Sequence, residues 1–109
     1  MSMNYYLVWN RPSTDSGLHI GKSSAGWRFL FHKVPHGAAF PLNSFEQWRD
    51  YLRKCTESGS HVIMNEQDEV VPYDEFMRMV SDKQNADRPD MFRYCENING
   101  YRFRSGEFC

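Results

Sequence analysis

Large aromatic side chains occupy every second position between residues 27 and 33, at Trp27, Phe29 and Phe31. Successive side chains of a β-strand point to opposite faces of a sheet, so this period of two predicts a strand over residues 27–33 with its rings on the core. The preceding run Lys22–Gly26 contains two serines and a glycine. It is therefore predicted to be the tip of a hairpin that leads into the strand.

Two earlier strands complete the N-terminal part of the predicted sheet. Residues 3–9 are rich in aromatic and β-branched side chains, a composition typical of strands. Asn10-Arg11-Pro12 ends this strand, and a polar loop continues to Gly17. A second strand is predicted at residues 18–21.

The clearest helical pattern begins at Ser44. Gln47 follows Ser44 at the spacing of a capping box, in which the two side chains satisfy backbone N–H groups of the first helical turn. Apolar side chains then recur at helical spacing, at Phe45, Trp48, Leu52 and Cys55. Gly59 ends the pattern, so a helix is predicted between Ser44 and Gly59.

The next segment predicts a strand and a second helix. Residues 61–64 contain Val62 and Ile63 and are apolar enough for a strand, and a polar turn at residues 65–68 separates them from Val70-Val71. Pro72 is suited to the first turn of a helix. The apolar positions of this helix are Tyr73, Phe76, Met77 and Val80.

A hairpin signal lies near residue 100. Asn99-Gly100, a dipeptide favoured in two-residue turns, separates residues 91–95 from residues 101–104, where rings are predicted inward and arginines outward. The element order is therefore β-β-β-α-β-α-β-β. It indicates an α+β fold, a largely antiparallel sheet of about five to six short strands with two helices packed on one face.

Length and charge limit the domain organisation and the partners. With 109 residues, of which 40% are hydrophobic, the chain is predicted to be a single domain over residues 1–109 with one core. Thirteen Lys and Arg against fourteen Asp and Glu give a formal net charge of −1. This balance provides no overall attraction to nucleic acid, so any such binding would have to be local.

Cysteine usage and hydropathy predict a cytosolic protein without a metal. Cys55, Cys95 and Cys109 are widely spaced and follow no signal segment, which indicates a reducing compartment. The chain has no Cys-x-x-Cys pair and no helical His-x-x-x-His pair, so no metal site is predicted. No apolar run reaches the roughly 18 residues of a membrane span, and no membrane association is expected.

The run from His19 to Trp27 concentrates groups that bind or catalyse. It contains a histidine, a lysine, two serines and two glycines, and glycine amides beside a lysine suit an anion such as phosphate. The run is not a P-loop, because Gly17 lies one residue too close to Gly21-Lys22-Ser23 and Ser16 takes the required position. No Gly-x-Ser-x-Gly nucleophile elbow is present either, so neither a catalytic residue nor a cofactor is assigned.

Two interpretations of this run remain open. In the first it is a tight turn, in which Ser23 and Ser24 bond local backbone, Lys22 is solvated and Trp27 anchors the core. In the second it is a binding site, since a plain turn does not require both His19 and Lys22. The candidate binding residues are His19, Lys22, Ser23, Ser24, Trp27 and Arg28.

Several stretches together resemble a family of small uncharacterised proteins encoded by tailed bacteriophages. They are Asn4-Tyr5-Tyr6-Leu7, the His-Ile-Gly-Lys-Ser-Ser-x-Gly-Trp motif at residues 19–27, the helix around Trp48, the acidic turn with the helix that follows it, and Gly106-Glu107-Phe108. The resemblance covers most of the chain and brings no established activity. Members often carry a cysteine pair after the first strand, where this chain has Pro12-Ser13-Thr14-Asp15-Ser16, so it does not imply a zinc knuckle here.

The resemblance implies a phage accessory protein made in the host cytoplasm. Such proteins commonly act by stoichiometric binding, so we expect a non-enzymatic binder or inhibitor of a host or antiviral-defence protein, an anti-CRISPR-like role included. Its contact surface is expected to include residues 19–28. The alternative is a small nucleotide- or nucleic-acid-phosphate-binding protein or enzyme, in which His19 is the acid or base and Lys22 binds the anion.

Overall fold

The computed structural model describes residues 2–11, 17–24, 27–34, 42–84, 96–98 and 101–105. Within these residues, two helices pack on a mixed sheet, and the predicted α+β class is confirmed. The strands are β1 (Ser2–Trp9), β2 (Leu18–Ser24), β3 (Leu30–Lys33), β4 (His61–Asn65), β5 (Val70–Val71), β6 (Glu96–Ile98) and β7 (Tyr101–Ser105). The helices are α1 (Phe45–Glu57) and α2 (Tyr73–Lys83).

The described part of the sheet has the strand order β5-β4-β1-β2-β3-β7-β6. Neighbouring strands pair antiparallel except β3 and β7, which are parallel. The sheet is therefore largely antiparallel, as predicted, and the two-residue β5 is counted among its strands. The pair β6 and β7 flanks Asn99-Gly100 as expected, whereas the strand predicted at residues 91–95 lies outside the described residues.

Helix α1 begins and ends where the capping pattern predicts. The backbone N–H of Gln47 donates to Ser44 Oγ at 3.2 Å, and Gln47 Oε1 accepts from the N–H of Asn43 at 2.8 Å. Beyond the helix, Gly59 has a φ of +78°, the left-handed conformation that favours glycine. These local contacts place α1 so that Trp48, Leu52 and Cys55 are buried.

Helix α2 follows the short strand β5 directly. Pro72 occupies the N-cap position, and the N–H of Phe76 donates to its carbonyl at 2.9 Å. Phe76 and Val80 are buried, and both belong to the core cluster that α1 also fills. The two helices therefore cover the same face of the sheet.

The boundaries of β2 and β3 differ from those predicted. Strand β2 continues through Ser24 because it pairs with β1 along its whole length, so Lys22 and Ser24 lie in a strand and not in a hairpin tip. Strand β3 begins only at Leu30, which leaves Trp27 outside it. Trp27 is half-buried and does not belong to the core cluster, so the prediction that it anchors the core is wrong.

Aromatic rings form the centre of the core. Phe29 and Phe31, both expected to face inward, are 0% and 1% exposed. Phe31 stacks on Phe103 of β7 with ring centroids 5.2 Å apart, and Phe29 meets Phe76 of α2 edge-on at 5.4 Å. The core therefore lies between the helices and one face of the sheet. The other face carries His19 and Arg102 together with apolar side chains that alternate with the core residues, among them Val8 and Val62.

None of the helices in the described residues has the length and apolar character that a bilayer crossing requires.

Candidate functional site

His19 is held inside the sheet on the face opposite the helices. It is 7% exposed, and its Nε2 lies 3.0 Å from Oδ1 of Asn4 on β1. The backbone N–H of Asn4 donates to Glu66 Oε1 at 2.7 Å, and Asn4 Nδ2 lies 3.4 Å from the same oxygen. Since Asn4 Nδ2 faces the carboxylate, Asn4 Oδ1 accepts from the Nε2–H of His19. This chain of contacts joins β1 and β2 to the turn after β4.

A second histidine lies beside the first. The His19 ring stacks on Tyr6 with centroids 5.1 Å apart, and its centroid is 5.6 Å from that of His32. His32 Nδ1 lies 3.1 Å from the carbonyl oxygen of His19, which can only accept, so His32 carries a proton on Nδ1. Trp48 Nε1 donates to the His32 carbonyl at 2.9 Å. Both imidazoles therefore contribute to the alignment of strands and of α1.

Gly21 lies where β2 approaches β3 too closely for a side chain. A Cβ atom on Gly21 would be 2.1 Å from the carbonyl oxygen of Leu30 and 2.6 Å from Cε2 of Phe29. Both distances are well inside van der Waals contact. Glycine is thus required at this position by strand packing, and this packing accounts for it without a bound anion.

The lysine and the two serines of the motif do not converge. Residues 22–24 pair with residues 2–4 of β1, and the alternation of a strand places Lys22 and Ser24 on one face and Ser23 on the other. The Ser24 carbonyl accepts from Lys83 Nζ of α2 at 2.7 Å. This contact fixes the end of β2 to the end of α2.

Trp27 and the backbone of Arg28 contact the buried guanidinium of Arg102. The guanidinium carbon of Arg102 lies 5.2 Å from the centre of the Trp27 ring, and Arg102 Nη1 donates to the Arg28 carbonyl at 3.1 Å. Arg102 is only 3% exposed. The rings of Tyr101 and Phe103 face the core and Arg102 faces away from it, as predicted. On that face Arg102 is packed against Trp27, where the ring and the Arg28 carbonyl stabilise its charge.

An exposed aromatic stack lies at the far end of β1. Trp9 is 40% exposed, and its ring stacks on His61 with centroids 4.2 Å apart. The guanidinium carbon of Arg11 lies 5.0 Å from the centre of the Trp9 ring. Trp9 and His61 are cross-strand partners in β1 and β4, so the sheet itself orients this group, which we call the Trp9 patch (Trp9, Arg11 and His61).

A cleft of about 420 Å³ opens where α1 ends and α2 begins, and His61 belongs to its lining as well as to the Trp9 patch. Apolar residues of β4 and β5, Ile63 and Val71 among them, line it together with the polar side chains Glu57, His61, Tyr73 and Asp74. We call it the α1–α2 cleft. It combines two carboxylates, an imidazole and a phenol with an apolar wall.

Burial shifts the pKa values of His61 and Tyr73 in the cleft so that the neutral form of each ring is favoured. Burial lowers the pKa of His61 below its ordinary value of 6.5. Burial also raises the pKa of Tyr73 above 10.0, while the nearby cations Arg53 and Arg49 act in the opposite direction. Both rings are therefore uncharged at neutral pH, and the charged side chains that line the cleft are carboxylates.

The described residues contain no cluster of three or more His, Cys, Asp or Glu side chains arranged to hold a metal ion. Cys55 is buried on α1, and burial raises the pKa of its thiol. It is therefore a packed thiol and a poor nucleophile.

No protein-family model, curated protein or solved structure matches this chain. The function therefore has to be argued from the residues and their geometry.

The Trp9 patch and the α1–α2 cleft were not predicted from sequence. Trp9 was assigned to a strand and Tyr73 to the apolar side of a helix, and both assignments are correct. What a strand pattern does not reveal is whether a helix covers its last residue. The only available signal was that Trp9 immediately precedes the Asn10-Arg11-Pro12 break, where a ring can project beyond the packed layer.

Proposed function

We propose that the chain is a bacteriophage accessory protein that acts without catalysis, by binding and inhibiting a host or antiviral-defence protein in the host cytoplasm. The resemblance of residues 19–27 to a phage family supports the origin. The exposure of Trp9 is the observation that carries the binding role. Tryptophan and arginine are enriched among the residues that contribute most to protein interfaces, and a ring already held by His61 loses little freedom when a partner covers it.

The contacts of the sequence motif favour this proposal over phosphate binding. His19 is engaged with Asn4, and Gly21 packs against Leu30 and Phe29. A histidine buried in a strand pairing is poorly placed to exchange protons with a substrate. Lys22, Trp27 and Arg28 remain candidates for the edge of a contact surface, since each is half-buried.

Affinity capture with matched variants tests the proposal. Tagged wild type, Trp9→Ala, Trp9→Phe and Lys22→Ala, each shown to be folded by circular dichroism, are incubated with bacterial lysate, and bound proteins are quantified by mass spectrometry. We expect one protein to be captured in near-stoichiometric amount. Its recovery should fall about tenfold or more with Trp9→Ala, and Trp9→Phe, which keeps a ring on His61, should retain most of it.

Two results would overturn the proposal. One is the absence of any protein enriched by wild type over the Trp9→Ala variant. The other is a specific nucleotide or oligonucleotide that stabilises the protein in a thermal-shift screen, since a ligand at 100 times its dissociation constant adds about 2.7 kcal/mol. That second result would support the phosphate-binding alternative instead.

A further inference from the structure

The α1–α2 cleft has the composition of a site for a cationic side chain. Its titratable lining residues are Glu57 at the last turn of α1, Asp74 in the first turn of α2, and His61 and Tyr73, and the neutral polar residues Asn10 and Thr56 complete the polar lining. Carboxylates attract a cation directly, and the face of the Tyr73 ring attracts it through its quadrupole. The apolar wall formed by Ile63 and neighbouring valines suits the hydrocarbon stem of a long side chain.

The charges around the cleft are unevenly distributed. Among the described residues, Glu57 and Asp74 form no ion pair, whereas Asp50 pairs with both Arg49 and Arg53. The two arginines act on Tyr73 from α1, but the shared carboxylate offsets part of their charge. Within the described residues, neither Glu57 nor Asp74 is therefore held in an ion pair, and Asp50 offsets part of the positive charge of the two arginines on α1.

We propose that the α1–α2 cleft binds an arginine side chain of the partner protein. Arginine fits better than lysine because its planar guanidinium stacks on rings and bonds carboxylates through several parallel donors. His61 is shared between the cleft and the Trp9 patch. The inference rests on the proposed binding function, and it adds that the partner presents an arginine beside the surface that covers Trp9.

A small probe tests the cleft without the partner. The full chain, labelled with ¹⁵N, is titrated with acetylarginine amide, and with acetylcitrulline amide, which has nearly the same shape and no charge. We expect arginine to shift the backbone amides of Gly59, His61, Val71 and Asp74, and citrulline to bind at least about tenfold more weakly. Raising the salt concentration from about 20 mM to about 500 mM should weaken arginine binding further.

Matched variants identify the carboxylates. Glu57→Gln and Asp74→Asn remove one charge each at the cleft, and the double variant should bind arginine amide about tenfold more weakly than wild type. Glu46→Gln and Asp82→Asn remove the same charges at the opposite ends of α1 and α2, where both side chains are exposed. These controls should bind arginine amide like wild type.

Equal binding of arginine and citrulline, or unchanged arginine binding in the Glu57→Gln/Asp74→Asn variant, would overturn the inference. The salt series in wild type gives an independent result even if the double variant does not fold. A failure here is distinguishable from a failure of the proposed function, because capture that depends on Trp9 can succeed while the cleft binds no arginine. Capture that depends on Trp9 and is weakened about tenfold by Glu57→Gln/Asp74→Asn would support both.

Discussion

His19 Nε2 lies 3.0 Å from Asn4 Oδ1, and this hydrogen bond is buried between β1 and β2. His19 is 7% exposed and Asn4 is 8% exposed, so both side chains are largely shielded from water. The amide of Asn4 extends the contact to Glu66. His19, which the sequence presents as a potential acid or base, therefore has a structural role in the pairing of β1 and β2.

Removing one side of this pair should destabilise the protein strongly. Asn4→Ala leaves the His19 Nε2–H without its acceptor in a buried position, which costs about 1–3 kcal/mol of unfolding free energy. His19→Phe keeps a ring on Tyr6 and removes the same bond. Urea unfolding of both single variants and of the double variant forms a double-mutant cycle, and we expect the double variant to lose about 1 kcal/mol less than the sum.

The cycle has a control on the exposed face of α2. Asn4→Ala combined with Arg78→Ala should be additive, because Arg78 is exposed and contributes to another part of the molecule. Additivity of the His19 pair as well would show that the 3.0 Å contact contributes no coupling energy.

Gly21 and Gly59 should respond very differently to the same substitution. Gly21→Ala places a Cβ 2.1 Å from the Leu30 carbonyl oxygen, so β2 and β3 must separate, which costs about 3 kcal/mol or more, the upper end of the over-packing range. Gly59→Ala meets nothing within 4 Å and only carries the cost of a φ of +78° for a residue with a side chain, about 1–2 kcal/mol. Thermal unfolding measures both, and a Gly21→Ala protein as stable as Gly59→Ala would contradict the close approach.

Trp48 and Trp9 each contact a histidine but differ in burial, so their substitution should reduce the unfolding free energy by different amounts. Trp48 is 0% exposed and donates to the His32 carbonyl at 2.9 Å. Trp48→Phe removes this donor and part of the core volume, so we expect a loss of about 2–3 kcal/mol. Trp9→Phe is the matched control at an exposed stack and should cost less than about 1 kcal/mol. Similar losses for both variants in urea unfolding would contradict this assignment of burial.

Helix α1 could be predicted because its signals are local. Ser44 and Gln47 are three residues apart, and Ser44 Oγ accepts from the Gln47 N–H as the capping pattern requires. The Gln47 side chain bonds the N–H of Asn43, one residue before the N-cap. Trp48 and Leu52 are four residues apart, a spacing that places apolar side chains on one side of a helix whatever the fold around it. The conformation of residues 22–24 does not follow from local signals, because polar residues of this kind also occur in hairpin tips. The length of β2 is set by its pairing with β1.

The parallel pairing of β3 with β7 is another long-range feature. It joins Leu30 to Arg102 and Phe31 to Phe103 across most of the chain, and no periodicity in either segment encodes a partner. The candidate site shows the same limit. His19 bonds Asn4, and Asn4 in turn bonds Glu66, 62 residues away in the sequence, so the structural role of His19 depends on contacts that no local pattern shows.

The pH dependence of stability should include a contribution from His61. Burial holds its pKa in the folded protein below 6.5, the ordinary value that applies to the unfolded chain. As the pH falls, the unfolded chain binds the proton first, so protonation favours unfolding. The contribution is fully present above pH 6.5 and is lost as the pH falls from 6.5 through the lower folded-state pKa.

His61→Gln should therefore flatten the stability profile in this window. We expect the unfolding free energy of wild type to fall more steeply than that of His61→Gln between about pH 7 and about pH 5, because glutamine has no proton to bind. The NMR titration of the His61 ring gives the folded-state pKa independently, and it should lie below 6.5.

Binding of acetylarginine amide should weaken in the same pH range, since an imidazolium in the α1–α2 cleft repels the guanidinium. A His61 ring that titrates above 6.5 would mean that the Trp9 stack and the carboxylates outweigh burial, and arginine binding would then already be weakened at higher pH.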